Sequence, residues 1–394
     1  MWFMVGRRTR YGKPPPRTTA ERCKTGPAVE SQRRIVGGGG QMATTRGSQL
    51  GPGTRVFVGG YTTESQPAGL HCLDWAEDGQ DEVRFTETDP LPVPSASWLV
   101  AHPHHPILYA LSETDETMIT PIRIEDNGDL TALDPVATGS SGGCHMALSP
   151  DQRAIVVAHY TGGAVSSISV DPNGDLGAMV DLYAFPGSGT DPERQEASHP
   201  HQVVFREDKL YVPDLGLDKV HVMTLGFDRR LRTEHPVDLP AGAGPRHIAF
   251  LDKLMVVACE LSAELWLGSE GLFGWREVER VPSTSLVDGP RCYPSALRII
   301  GNEVFVGNRG PDTFAVFDLD TQADRLQLRV EVPTEGEWPR DIVHVGGMVW
   351  VANQNSDTIS VFRRGDGSDP NRTWIHDFRL STPQPACILI RRPR

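Results

Sequence analysis

Seven times along this chain an apolar, β-branched or aromatic run ends in a small or polar step. The copies are VFVGGY (56–61), LYALSE (108–113), IVVAHY (155–160), LYVPDL (210–215), MVVACE (255–260), VFVGNR (304–309) and VWVANQ (349–354). Aligned on the step, they fall on Gly60, Ser112, His159, Asp214, Cys259, Asn308 and Asn353, 45 to 55 residues apart. Strand-like units at a period near 50 residues indicate a propeller or a solenoid. A second series precedes most copies of the first: SWLVAHP (97–103), HMALSP (145–150), HQVVFRE (201–207), RHIAFLD (246–252), SALRIIG (295–301) and RDIVHVG (340–346). Short polar turns join the two series, so each pair reads as a β-hairpin. The segments EDNGDL (125–130), DPNGDL (171–176) and DLDTQADRL (318–326) mark outer turns of the same units.

The chain ends complete the count. ACILIRRP (386–393) looks like the first strand of a hairpin with no partner after it, and VFVGGY is the second strand of one with none before it. Pairing the two closes a ring and removes the exposed edges that invite aggregation. The pattern therefore predicts an all-β fold. It is a closed seven-bladed β-propeller with about four antiparallel strands per blade and one blade built from both chain ends.

Composition adds boundaries. Forty Gly and 32 Pro in 394 residues suit many tight turns. No apolar run approaches the ~18 residues of a membrane helix, so a soluble, cytoplasmic protein is expected. The first 50 residues hold ten Lys and Arg against Glu21 and Glu30, leaving 28 basic and 49 acidic residues in the rest. Residues 1–53, with their PPP and GGGG runs, read as a basic disordered extension, with Met42 an alternative start. The propeller domain then spans 54–394. Its acidic balance argues against a nucleic-acid partner. The six cysteines show no CxxC spacing and read as reduced thiols. Cys144 and Cys259 adjoin polar candidates, which leaves a catalytic thiol open. No metal-ligand spacing appears, and neither metal nor cofactor is expected.

Strand polarity locates the chemistry. In an antiparallel pair the start of one strand lies beside the end of the other. One rim therefore collects His145, His201, Arg246, His247 and Arg340 from strand openings. Strand ends add Glu113, His159, Tyr160, Asp214, Glu260, Asn308, Arg309 and Asn353 to Asn355. A water-filled channel explains any single member equally well. The group, with its arginines, histidines and carboxylates, suits an anionic substrate and acid–base chemistry. The connection AFPGSGTDPERQEASHPH (184–201) enters the same rim and offers Arg194 and Gln195.

The phrases GSGTDPERQEASHPHQVVF, YVPDLGLDKVHVM, GAGPRHIAF, GNRGPDTFAVFDLD and WPRDIVHVGGMVWVANQNSDTISVF resemble the seven-bladed lactonase family. That family includes propeller-type bacterial 6-phosphogluconolactonases and fungal 3-carboxy-cis,cis-muconate lactonizing enzyme. The resemblance runs from about Arg55 to the C-terminus. It implies a catalytic set at His201, Arg246, Glu260 and Arg309. Arg194, His145, Gln195, Asn308 and Arg340 join them as substrate-binding candidates. The activity implied is hydrolysis of a sugar lactone, foremost 6-phospho-D-glucono-1,5-lactone. The base would be Glu260 or His201, Arg246 would stabilise the oxyanion, and Arg309 with Arg194 would hold an anion. A small anionic lactone or carboxylate would be the partner of a monomer. The alternatives are lactonizing of a muconate by the same residues, and a non-catalytic interaction platform. The sequence departs from the family at Cys259, where an Asn is usual, and at His159. SAELWLGSEG (262–271) looks irregular and the blade after it shortened.

Overall fold

The computed structural model describes residues 53–77, 83–365 and 373–392; the basic extension and Cys23 lie outside them. The described strands form seven antiparallel sheets, five of four strands and two of five. We number the blades 1 to 7 in chain order of their second strands. Blade 1 holds residues 55–87 together with the final strand, and blades 2 to 7 hold 96–137, 143–184, 204–238, 245–282, 293–333 and 339–381. Among the described residues no helix is long and apolar enough to cross a membrane.

Ring closure follows the prediction. Strand Arg55–Gly60 pairs with Pro385–Arg391, with Phe57 opposite Leu389. Successive side chains of that last strand point to opposite faces. Ile388 enters the core shared by blades 7 and 1, whereas Cys387 enters the core shared by blades 1 and 2. Among the described residues seven such cores form, one at each junction between neighbouring blades. The second strand of each blade is covered on both sides, and Ile107–Ser112, Ala154–His159 and Leu254–Cys259 are buried throughout. A strand covered on both sides reads as a continuous apolar run, which is why these segments dominate the sequence signal.

Two local expectations change. HQVVFRE is a regular strand only over Val204–Arg206, because Pro200 bridges Asp214 and the chain bulges between them. SAELWLGSEG forms a strand: Glu264–Gly271 pairs in continuous register with Leu254–Cys259, while its ladder with Gly274–Pro282 slips once, between Leu267 and Gly268. Leu265 and Leu267 face blade 6 while Trp266 faces blade 4, so both faces are buried and no polar alternation appears. The following blade is full-sized, with strands of seven to nine residues.

Candidate active site

The inner ladders share one irregularity. In six blades the register between the first two strands slips near the rim. In blade 4 the same slip lies between Pro200–Asp214 and Val204–Tyr211. Such a bulge adds one residue and re-aims a side chain. The residue following the partner of each step residue is Ser97, Cys144, His201, Arg246, Ser295, Arg340 or Ala386. In five blades the residue two places earlier has positive φ: Ser95, Gly142, Gly244, Trp338 and Gln384.

The second strands contribute by alternation. Their step residues turn into the blade: His159 Nε2 meets Ser166 Oγ at 2.9 Å, Asp214 meets His221 at 2.9 Å, and Asn353 Nδ2 donates to Ser360 Oγ at 3.1 Å. The next residue turns the other way. It is Tyr61, Glu113, Tyr160, Glu260 or Arg309 in five of the blades.

Glu260 is the centre of one arc of the rim. Arg194 Nη2 lies 2.8 Å from its Oε1, Arg246 Nη1 2.7 Å and Arg309 Nη2 2.6 Å from its Oε2. Burial alone would push this carboxyl up, but Arg309, Arg246 and Arg194 together hold it well below the usual carboxylate range. An anion so stabilised is a weak proton acceptor. Its role in this arrangement is to hold three guanidinium groups together. One donor of the cluster stays unengaged among the described residues: Arg246 Nε has no hydrogen-bond partner. Trp338 lies under the Arg309 guanidinium, 5.2 Å from its carbon to the ring centre.

His201 stands beside this cluster. Burial, reinforced by Arg246, lowers its pKa well below the ordinary imidazole value, so the ring is neutral at pH 7. Its Nδ1 lies 3.8 Å from Cys144 Sγ, and Nε2 has no hydrogen-bonding partner among the described residues. His247 and His145 continue below it, with ring centres 5.7 Å and then 5.9 Å apart. The Cys144 thiol is pushed up to about 12 by burial and by Glu113, and burial raises Cys259 as well. Both shifts favour the neutral thiol over the thiolate that a nucleophile would need. A cleft of about 450 Å³ is lined by Thr190, Glu193, Gly242, Leu261 and Arg291, chain neighbours of the cluster residues Arg194 and Glu260 among them; none of the cluster side chains lines it. No trio of His, Cys, Asp or Glu among the described residues converges as a metal-ligand set.

The sequence matches the family model for the seven-bladed β-propeller lactonase over residues 55–390. The chain belongs to this lactonase family. The 6-phosphogluconolactonase of Bacillus subtilis (strain 168) is 30% identical over 348 residues, covering 84% of this chain and 97% of that protein. The 6-phosphogluconolactonase of Formosa agariphila is 26% identical over 329 residues, 78% of this chain and 92% of that protein. Among solved structures, the periplasmic gluconolactonase of Pseudomonas aeruginosa matches with a TM-score of 0.76 at 26% identity, covering 86% of this chain and 98% of that one.

In the lactonase, His201, Arg246, Glu260, Arg309 and Arg194 come together in one group. Arg340 sits on the same rim in a different arc, paired with Glu113 at 3.3 Å. His145 lies deeper, its Nδ1 accepting from the Val203 amide at 3.3 Å. Asn308 turns inward and donates to the Ser283 carbonyl at 2.8 Å. Gln195 is fully buried and braces its own loop. Its Oε1 accepts from the Thr190 and Asp191 amides, and its Nε2 donates to the Leu215 carbonyl and Asp218. That brace presents the neighbouring Arg194 to Glu260. Sequence reasoning missed Tyr61 and Trp338. Aligning the first series one residue past the step would have put Tyr61 beside Glu113, Tyr160, Glu260 and Arg309. Nothing in the sequence marked Trp338.

Proposed function

We propose that this lactonase hydrolyses 6-phospho-D-glucono-1,5-lactone to 6-phosphogluconate. The observation that carries the reading is the Glu260 cluster: three arginines on one buried carboxylate, with a neutral imidazole alongside. The cluster keeps two positive charges in excess, which suits a phosphate-bearing substrate through charge-assisted contacts. Arg309 and Arg194 hold the phosphate. His201 takes a proton from water as the water oxygen bonds to C1, and Arg246 Nε faces the oxygen on which negative charge develops. The bond from C1 to the ring oxygen then breaks. That oxygen recovers the proton from the His201 imidazolium, and the new carboxylic acid ionises.

The depressed Glu260 carboxyl favours His201 over Glu260 as the base. We also place the enzyme in the cytoplasm as a monomer acting on a small anionic lactone without nucleic acid or membrane. All five described cysteines are buried free thiols, which suits a reducing compartment. Freshly prepared 6-phosphoglucono-1,5-lactone, D-glucono-1,5-lactone and 3-carboxy-cis,cis-muconate test the reading with the spontaneous rates subtracted. Enzymatic turnover with preference for the phosphorylated lactone is expected. Turnover of the muconate alone would replace hydrolysis by the lactonizing reaction.

A further inference from the structure

A second charged group occupies the far side of the rim. Glu113, from blade 2, accepts a hydrogen bond from Tyr61 Oη of blade 1 at 2.7 Å. It also accepts from Arg340 Nη2 of blade 7 at 3.3 Å. The Arg340 guanidinium carbon lies 4.9 Å from the centre of the Tyr61 ring. Tyr61 and Glu113 are step-plus-one residues and Arg340 is a bulge residue, so all three sit at the level of Glu260 and His201. Blades 7, 1 and 2 form one arc of the mouth, and blades 4, 5 and 6 form the arc of the arginine cluster. Cys144, in blade 3, bridges them: it feels the charges of Glu113, Arg246 and Arg340 and lies 3.8 Å from His201 Nδ1.

The two arcs differ in charge. Glu260 carries three cations, whereas Glu113 carries one cation and a neutral phenol that burial keeps protonated. A phosphate therefore belongs on the Glu260 side. The Glu113 side has no excess positive charge and mixes acceptor with donor. Glu113 has a second carboxylate oxygen beyond the one that takes both bonds, and Arg340 makes only one long contact to it. An acceptor and a donor side by side match a pair of neighbouring hydroxyls, each of which donates and accepts. We propose that Tyr61, Glu113 and Arg340 form a subsite that reads the ring hydroxyls of a polyhydroxylated lactone. This rests on the hydrolytic reading above. It makes the hydroxyls the feature that separates a sugar lactone from a hydroxyl-free one, since a site built to bond a hydroxyl rejects the analogue lacking it.

The test compares kcat/KM for D-glucono-1,5-lactone and δ-valerolactone in the wild type, Glu113→Gln and Tyr61→Phe, with Tm recorded for each. The expected result is that Glu113→Gln lowers the gluconolactone-to-valerolactone ratio at least tenfold, with Tyr61→Phe moving it in the same direction. An unchanged ratio, with both rates falling together or neither falling, overturns the proposal and leaves the triad a brace of the rim. If the wild type turns over neither of these unphosphorylated lactones, its rate on 6-phosphoglucono-1,5-lactone alone decides the hydrolytic reading. Calorimetric Kd values for 6-phosphogluconate and 6-phosphohexanoate then read the subsite. Selective loss of 6-phosphogluconate binding in Glu113→Gln supports it, and equal Kd changes for both ligands overturn it.

Discussion

At the residue scale the site depends on which of two adjacent side chains faces the channel. The paired sequence series reveal where strands end but not the side on which each terminal residue falls. For this reason the step residues Asn308, Asp214 and Asn353 belong to the blade interior, while Arg309, Glu260 and Tyr61, each one past the step in its own blade, reach the mouth. Glu260, Arg246, Arg309 and His201 were legible from motif and polarity together. Gln195 was legible as a loop residue but not as the brace of Arg194. If His201 is the base, His201→Asn lowers kcat by about 10²–10⁴ with the fold retained, as steady-state kinetics and circular dichroism will show. Its lowered pKa has a signed consequence. The base stays unprotonated until well below the ordinary imidazole range, so the acid limb of kcat/KM has its midpoint below about 6.5. A midpoint above that value would assign the limb to another group. Removing the Glu260 charge with Glu260→Gln leaves three guanidinium groups uncompensated, two of them almost wholly buried, and destabilises the fold by about 3–5 kcal/mol in a denaturant titration.

At the element scale the bulges matter most. They place His201, Arg246 and Arg340, and no hydrophobic period announces them, because one extra residue only shifts the pattern that follows. The prolines before His201, Arg246 and Arg340 are the sequence trace of the strand openings. Gly244 shows the constraint: its φ is 62°, and a Cβ there would meet Leu261 Cγ at 2.3 Å. Gly244→Ala therefore costs about 1–2 kcal/mol from the left-handed backbone alone. It also displaces Leu261, next to Glu260, so KM should rise along with the loss in Tm. The strands themselves were read nearly to the residue, since their apolar runs are sandwiched between blades. SAELWLGSEG looked irregular for that same reason: a strand buried on both faces lacks alternation, and the one slip it does have, between Leu267 and Gly268, falls on its outer ladder.

For the whole molecule, closure and electrostatics act together. Ile388 belongs to the strand that joins the two chain ends, so Ile388→Ala opens a cavity between blades 7 and 1 and costs about 2–5 kcal/mol by chemical denaturation. The channel holds three imidazoles, His145, His201 and His247, all with pKa values lowered chiefly by burial. Neutral in the fold, they take up protons on unfolding once the pH falls below about 6.5. Acid therefore favours the unfolded chain, with a slope of up to about 1.4 kcal/mol per pH unit for each histidine until the folded groups also protonate. His247→Phe should flatten that slope between pH 6.5 and 5. The ring count, the closure and the rim that gathers the ionisable residues were legible in the repeat, whereas the buried histidine file required the depth of the channel to be known. The central claim is that lactone hydrolysis occurs at the Glu260 arginine cluster. The measurement that tests it most directly is hydrolysis of 6-phosphoglucono-1,5-lactone by wild type and Arg246→Ala in parallel, with background subtracted and Tm compared. A rate above background that falls about 10²–10³-fold in a folded Arg246→Ala is the expected result. Equal rates in the two proteins would contradict it.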